Sequence, residues 1–269
     1  MLERLSIDDR VVVITGGGTG LGLEMVRHLA RAGANLVIAG RRSGPIEDAA
    51  AEVRALGPQS IAVPTDVSDS SQADALVEAA VRNFGRIDVL INNAALVSDS
   101  VPTPIWDISD SDWQAALDVN LSGSFYCARA ASRPMADQGA GKIINVASGF
   151  GMRGGRDIYM YCCTKGAIIQ LTRVLSFSLA RYGVTANSIV PGFIPTAGTD
   201  TEMRESLPRS GAYLPTGKLG EPQDIGPVAV FLASPASDYM TGEIFTLDGG
   251  GLAGGLAPTG YAPQIPLEA

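Results

Sequence analysis

Short apolar runs alternate with longer amphipathic stretches along most of this chain. Val11 to Thr15 (VVVIT) is a β-branched run, followed by glycines and then EMVRHLARAG, which reads as a helix ending at Gly33, where a C-terminal cap belongs. NLVIAG reads as a second buried strand. The alternation continues with a helical stretch near Ile46 to Leu56, a strand at Ser60 to Val63, a helix reaching Phe84 and the strand IDVLI. KIINVA, VTANSIV and EIFTL supply further strands. Strands that are apolar throughout are buried on both faces, so the pattern predicts an α/β fold: a doubly wound, Rossmann-like parallel sheet with helices on both sides. No period of about 20 to 50 residues recurs, which argues against a solenoid. No Pro/Ser linker splits the pattern, and one domain over residues 1–269 is expected. Within it lie an irregular segment at about 193–220 and an Ala/Gly/Pro-rich tail at about 252–269, either disordered or docked on a neighbouring subunit.

Composition narrows the functional classes. Of the 269 residues 46% are hydrophobic and 18% charged, as a packed globular core requires. The net charge of -8 speaks against a general nucleic-acid binder, which needs a basic surface to neutralise phosphates. Cys127, Cys162 and Cys163 are odd in number and two are adjacent, so they form neither a disulfide framework nor a zinc site. MLERLSIDDR lacks the apolar core of a signal peptide, and no apolar run approaches the roughly 20 residues of a membrane span. The expectation is a soluble, cytoplasmic protein with a small-molecule partner, no nucleic acid and no membrane.

The loop TGGGTGLG places Gly16, Gly20 and Gly22 between the first strand and its helix, where a dinucleotide pyrophosphate meets a helix N-terminus. A Cβ there would block close approach of the backbone. After the second strand, where a carboxylate would hold the ribose 2′-hydroxyl of NAD, the chain carries Gly40, Arg41 and Arg42. A guanidinium grips a 2′-phosphate that a carboxylate would repel, so NADP(H) is favoured over NAD(H). The competing reading leaves both arginines as solvated residues at the start of the next helix.

Tyr161 and Lys165 stand four residues apart in a helical stretch and share one face. An ammonium beside a phenol favours the phenolate, bringing the tyrosine, normally near 10, toward use as a proton donor and acceptor. Such a pair also arises by chance as a packed ring and a surface lysine. Tyr159 is a rival, but six positions from Lys165 it faces elsewhere.

Taken in order, these motifs resemble the short-chain dehydrogenase/reductase family from Val11 to about Gly250. TGGGTGLG is similar to that family's cofactor loop, Asp66-Val67 to its adenine-contacting pair, and NNAA at Asn92 to Ala95 to its NNAG. VNLSG carries Asn120, NVASG carries Ser148, YCCTK carries Tyr161 and Lys165, and PGFIPT carries Pro191, Gly192, Ile194 and Thr196. The resemblance implies that Tyr161 is the general acid/base, that Ser148 hydrogen-bonds the substrate oxygen, and that Lys165 binds the nicotinamide ribose while lowering the pKa of Tyr161. Asn120 would hold a water in a proton relay. Cofactor contacts would come from Gly16, Gly18, Thr19, Gly20, Leu21, Gly22, Arg41, Arg42, Asp66, Val67, Asn93, Ala94, Tyr161, Lys165, Pro191, Gly192, Ile194 and Thr196. A homotetramer or homodimer is the implied assembly.

Two departures stand out. Ala95 replaces the usual glycine, and Cys162 and Cys163 lie inside the catalytic motif, either as small packing residues or as oxidation-sensitive thiols. With one histidine, His28, and no acidic cluster, no metal is implied. The expected function is NAD(P)-dependent interconversion of a secondary alcohol and a ketone; the alternative is a catalytically silent dinucleotide sensor on the same fold. The substrate pocket falls to the segment after Pro191-Gly192 and to Gly149 through Arg153. Phe150, Met152, Met203 and Leu207 could make an apolar wall, and Arg153, Arg156 or Arg204 could hold an anion. A sugar or polyol, a hydroxy acid, a 3-oxoacyl thioester and a cyclic or aromatic ketone all remain open as substrates.

Overall fold

The computed structural model describes residues 2–96, 102–196 and 214–254. Met203, Arg204, Leu207 and most of the C-terminal tail lie outside these residues. Seven parallel strands form one sheet: β1 (Val11–Thr15), β2 (Asn35–Gly40), β3 (Ser60–Pro64), β4 (Val89–Asn92), β5 (Gly141–Val146), β6 (Val184–Pro191) and β7 (Ile244–Leu247). Their spatial order is β3-β2-β1-β4-β5-β6-β7. All seven runs read from the sequence are strands, within two residues at each end.

The helices are α1 (Gly20–Arg31), α2 (Ser43–Leu56), α3 (Ser70–Phe84), α4 (Asp110–Ala116), α5 (Gly123–Gln138), α6 (Tyr159–Leu179) and α7 (Ile225–Ala233). Val12 and Ile14 of β1 pack with Met25, Leu29, Val53 and Leu232 from α1, α2 and α7. Val11 and Val13 point the other way, toward Leu76, Cys127 and Met135 from α3 and α5. Both faces of the sheet are thus covered, which is why its central strands are mainly apolar on both faces instead of alternating apolar and polar.

The chain winds outward from β1 through β2 to β3, then returns to place β4 on the other side of β1. Ligands of doubly wound sheets bind beyond the carboxyl ends of strands at such a reversal, here between Thr15 and Asn92. Between α4 and α5 the chain widens into a π-helical turn at Leu117–Ser122, which carries the buried Asn120. π-turns inside helices recur at functional sites.

Candidate active site

The first βα turn is shaped by close backbone approach. Gly16 has φ +65°, and a Cβ on Gly22 would lie 2.1 Å from the Gly16 carbonyl oxygen, so neither position accepts a side chain without rearrangement. Gly18 stands against Pro45 of α2, and Gly20 faces Thr196 across the cleft, with the threonine methyl 3.7 Å from where a Cβ would be. At the start of α1 the Thr19 side chain makes no capping hydrogen bond and the first turn has no acidic residue. Leu21 and Gly22 lie in that first turn. Its positive end is therefore open to an anion, and the cradle fits a dinucleotide pyrophosphate.

Asn93 reaches this loop through the protein itself. Its Nδ2 donates to the carbonyl oxygens of Thr15 (3.0 Å) and Gly16 (3.1 Å). Thr15 Oγ1 in turn accepts the backbone N–H groups of Asn93 (3.0 Å) and Ala94 (3.1 Å). The carboxyl ends of β1 and β4 are thereby tied together at the reversal. The sequence reading missed Thr15, although a polar residue closing a buried β-branched strand was a visible signal.

α6 begins at Tyr159, two residues before the catalytic candidate, so Tyr161 and Lys165 stand one turn apart. Lys165 is buried; its Nζ donates to the Val146 carbonyl at 2.9 Å and lies 5.6 Å from the centroid of the Tyr161 ring. Burial pushes its pKa down from 10.5 to about 8, so at neutral pH the ammonium is still largely protonated. Asn120 approaches from the π-turn: its Oδ1 accepts the Leu96 N–H at 2.7 Å and its Nδ2 donates to Thr164 Oγ1 at 3.3 Å, linking the end of β4 to α6.

Ser148 is buried just after β5. Its Oγ accepts the Phe150 N–H at 3.2 Å, capping the 3-10 turn Gly149–Gly151, while its hydroxyl hydrogen finds no acceptor among the described residues. That leaves a donor for a ligand oxygen. The turn lies directly on α6, since a Cβ on Gly151 would be 2.6 Å from the carbonyl carbon and oxygen of Lys165. The sequence places Gly151 in the pocket segment, but its close packing on Lys165 is not visible there. The Phe150 ring meets the Tyr161 ring edge-on at 6.4 Å between centroids.

The remaining residues singled out in the sequence are placed in different ways. Arg41 and Arg42 are exposed and pair with no carboxylate among the described residues, with Arg42 at the N-cap of α2. Asp66 Oδ1 accepts from the Ser68 hydroxyl (2.7 Å) and N–H (3.0 Å), and Val67 is buried against Gly123. Pro191 ends β6, the Gly192 N–H donates to Leu247 O, and Ile194 packs against Gly220. Cys162 is half-buried and Cys163 exposed, while Cys127 is sealed in the core, where burial pushes its thiol up to about 12. His28 is half-buried in α1, with Nδ1 2.9 Å from Glu24 O and its ring against Gly226. Among the described residues no metal-binding cluster occurs and no helix is long and apolar enough to cross a membrane.

The cradle at the sheet's reversal, together with the buried Lys165 one turn from Tyr161, has the features of a nicotinamide-dependent oxidoreductase acting on CH–OH or C=O groups, and the comparisons with known proteins agree. A family profile described as enoyl-(acyl carrier protein) reductase matches residues 16–251. The chain is 36% identical over 259 residues to a 2-dehydro-3-deoxy-D-gluconate 5-dehydrogenase of Dickeya dadantii, covering 94% of this chain and 99% of the relative. It is 35% identical over 243 residues to a 3-oxoacyl-[acyl-carrier-protein] reductase of Synechocystis, covering 90% and 96% respectively. A crystal structure of a gluconate 5-dehydrogenase from Burkholderia cenocepacia, in complex with NADP and tartrate, superimposes with a TM-score of 0.85 at 34% identity, covering 94% of this chain and 98% of that one. The chain belongs to the short-chain dehydrogenase/reductase family.

Proposed function

We propose that this protein interconverts a secondary alcohol and a ketone, with Tyr161 as general acid/base. The observation that carries the reading is the buried Lys165 ammonium, held by Val146 O one helical turn from Tyr161. In the reductive direction Tyr161 gives its phenolic proton to the forming alkoxide, and Lys165 favours the resulting phenolate by its charge. Ser148 donates its unassigned hydroxyl hydrogen to the same substrate oxygen, stabilising negative charge as it develops. Asn120, at the π-turn, supports a solvent path toward Lys165. The nicotinamide, when bound, supplies or accepts the hydride.

Gly16, Gly18, Thr19, Gly20, Leu21 and Gly22 would hold the pyrophosphate, and Asp66, Val67, Asn93 and Ala94 the adenosine side of the cleft. Pro191, Gly192, Ile194 and Thr196 would close over the nicotinamide, whose ribose Lys165 and Tyr161 would bind. NADP(H) is favoured because Arg41 and Arg42 pair with no carboxylate among the described residues and the B. cenocepacia structure is in complex with NADP; NAD(H) is the alternative. A steady-state assay on a panel of alcohols and ketones tests the reaction. Tyr161→Phe should lower kcat by at least about a hundredfold, the lower end of what a positioned acid/base contributes. Equal activity in the variant, or no turnover by the wild type, would overturn the enzyme in favour of a nucleotide sensor.

A single domain over residues 1–269, a cytoplasmic setting and a homotetramer or homodimer complete the reading. Unpartnered thiols and the family support it, and light scattering tests the assembly: a monomer would refute it.

A further inference from the structure

Between the catalytic serine and α6 runs the segment GFGMRGGRD, and its side chains are not arranged at random. The Phe150 ring is held on several sides. It meets Phe193 edge-on at 6.3 Å between centroids and Tyr161 at 6.4 Å, and Gly155 fits beneath it only because a Cβ there would lie 2.8 Å from the ring. Over the ring sits the Arg153 guanidinium, 4.9 Å from the centroid.

That arginine is half-buried and makes no ion pair or side-chain hydrogen bond among the described residues. The acidic neighbour in the same segment, Asp157, accepts a hydrogen bond from the Tyr159 hydroxyl at 3.4 Å. Asp157 also adopts φ +60°, uncommon outside glycine, and its carbonyl accepts the Thr103 N–H at 2.8 Å, which anchors this lip of the site. A guanidinium that pairs with no carboxylate among the described residues and sits one ring away from the proton donor has its fork of N–H groups available to a ligand.

We propose that Arg153 is the substrate anchor and Phe150 its positioning residue, and that the substrate is an anionic hydroxy acid or oxo acid. Its carboxylate binds Arg153 while its carbinol or carbonyl carbon lies at Tyr161. The claim rests on the reaction assigned above and narrows its substrate class. The contact with Phe150 holds the guanidinium over the ring, and the contact of Phe150 with Tyr161 sets its separation from the reacting atom. The pair therefore selects for the distance between acid group and hydroxyl as well as for charge. No bond is made or broken by either residue.

The test uses matched ligands, D-gluconate and the uncharged polyol sorbitol, within a panel of hydroxy acids of differing length. Binding is measured by calorimetry to the protein saturated with NADPH, a dead-end complex in which an alcohol cannot turn over. Arg153→Ala should weaken binding of the preferred acid about ten- to a hundredfold, as loss of a charge-assisted hydrogen bond implies, and leave sorbitol within about twofold. Arg153→Lys should recover part of the loss. In turnover, Arg153→Ala should raise KM for the acid more than it lowers kcat, whereas Phe150→Ala should lower kcat as well. Acids that bind wild type and Arg153→Ala equally, or that bind neither, would overturn the anchor. Failure of the reaction reading looks different: acid binding would depend on Arg153, yet the wild type would oxidise no hydroxy acid and reduce no oxo acid.

Discussion

Gly151 lies so close to the main chain of Lys165 that a single added methyl carbon would stand 2.6 Å from that residue's carbonyl carbon and oxygen. The turn carrying Ser148 and the helix carrying Tyr161 and Lys165 are thereby locked in register. Both partners in the contact are backbone, so a larger residue must push the turn away from the helix.

Gly151→Ala is expected to lower kcat by about tenfold or more, since small misplacement of a catalytic donor is costly, with a stability loss of about 1–3 kcal/mol from overpacking. Steady-state kinetics and denaturant titration of the same variant check both numbers. Gly154→Ala, where a Cβ meets nothing within 4 Å, is the control and should leave both near wild type.

Lys165 gives a pH-dependent prediction with a defined sign. Its folded pKa of about 8 lies below the 10.5 of an exposed lysine, so folding disfavours the charged form. That cost is full below about pH 8 and fades as pH rises toward 10.5, where the unfolded chain also loses its proton. Lys165→Met should therefore stabilise the fold at pH 7 by up to about 3 kcal/mol, with the advantage disappearing above pH 10, while abolishing turnover. Thermal unfolding of both proteins from pH 6 to 10.5 reads the difference directly; a gain that does not shrink with pH would contradict it.

Thr15 accepts two backbone N–H groups where β1 meets β4. Thr15→Val preserves shape but strands both donors, at about 1–3 kcal/mol for a buried unsatisfied group, and should raise the cofactor's KM as the Asn93 contact to Gly16 loosens. Thr15→Ser should restore most of both losses. Urea unfolding and cofactor titration are the measurements.

Arg41 is exposed and pairs with no carboxylate among the described residues. Arg41→Ala should reduce kcat/KM for NADP(H) by about tenfold or more and leave NAD(H) nearly unchanged, as removal of a charge-assisted contact to a 2′-phosphate requires. An unaltered NADP(H) value would assign the residue to the solvated start of α2.

Much of the framework was legible because strands buried on both faces are predominantly apolar, and all seven stood out as short runs. Elements without a contrast of apolar and polar faces did not. IGPVAVFLA in α7 is apolar almost throughout, so it carries no helical stripe and resembles a strand by composition. The helices from Asp110 to Gln138 were likewise unread, with a π-turn through the middle and Pro134 inside α5. α1 starts at Gly20, earlier than its apolar periodicity, because its first turn belongs to the phosphate cradle.

At the site, Tyr161, Lys165, Ser148 and Asn120 were readable from motif order. The packing of Gly151 on Lys165, the role of Thr15 and the clamping of Phe150 were not, since each depends on an approach between segments distant in sequence. Asn93, expected to face the cofactor, uses its Nδ2 to hold the loop that would bind it.

The three thiols have sharply different accessibility to electrophiles. Cys127, sealed in the core with its thiol near pKa 12, is inert to alkylation while the fold is intact, so early labelling of the native protein reports only on Cys162 and Cys163. Those two directly follow Tyr161 in the chain. A maleimide or iodoacetamide time course thus offers an intrinsic footprint of the catalytic helix, and modification of Cys127 marks the moment the core opens.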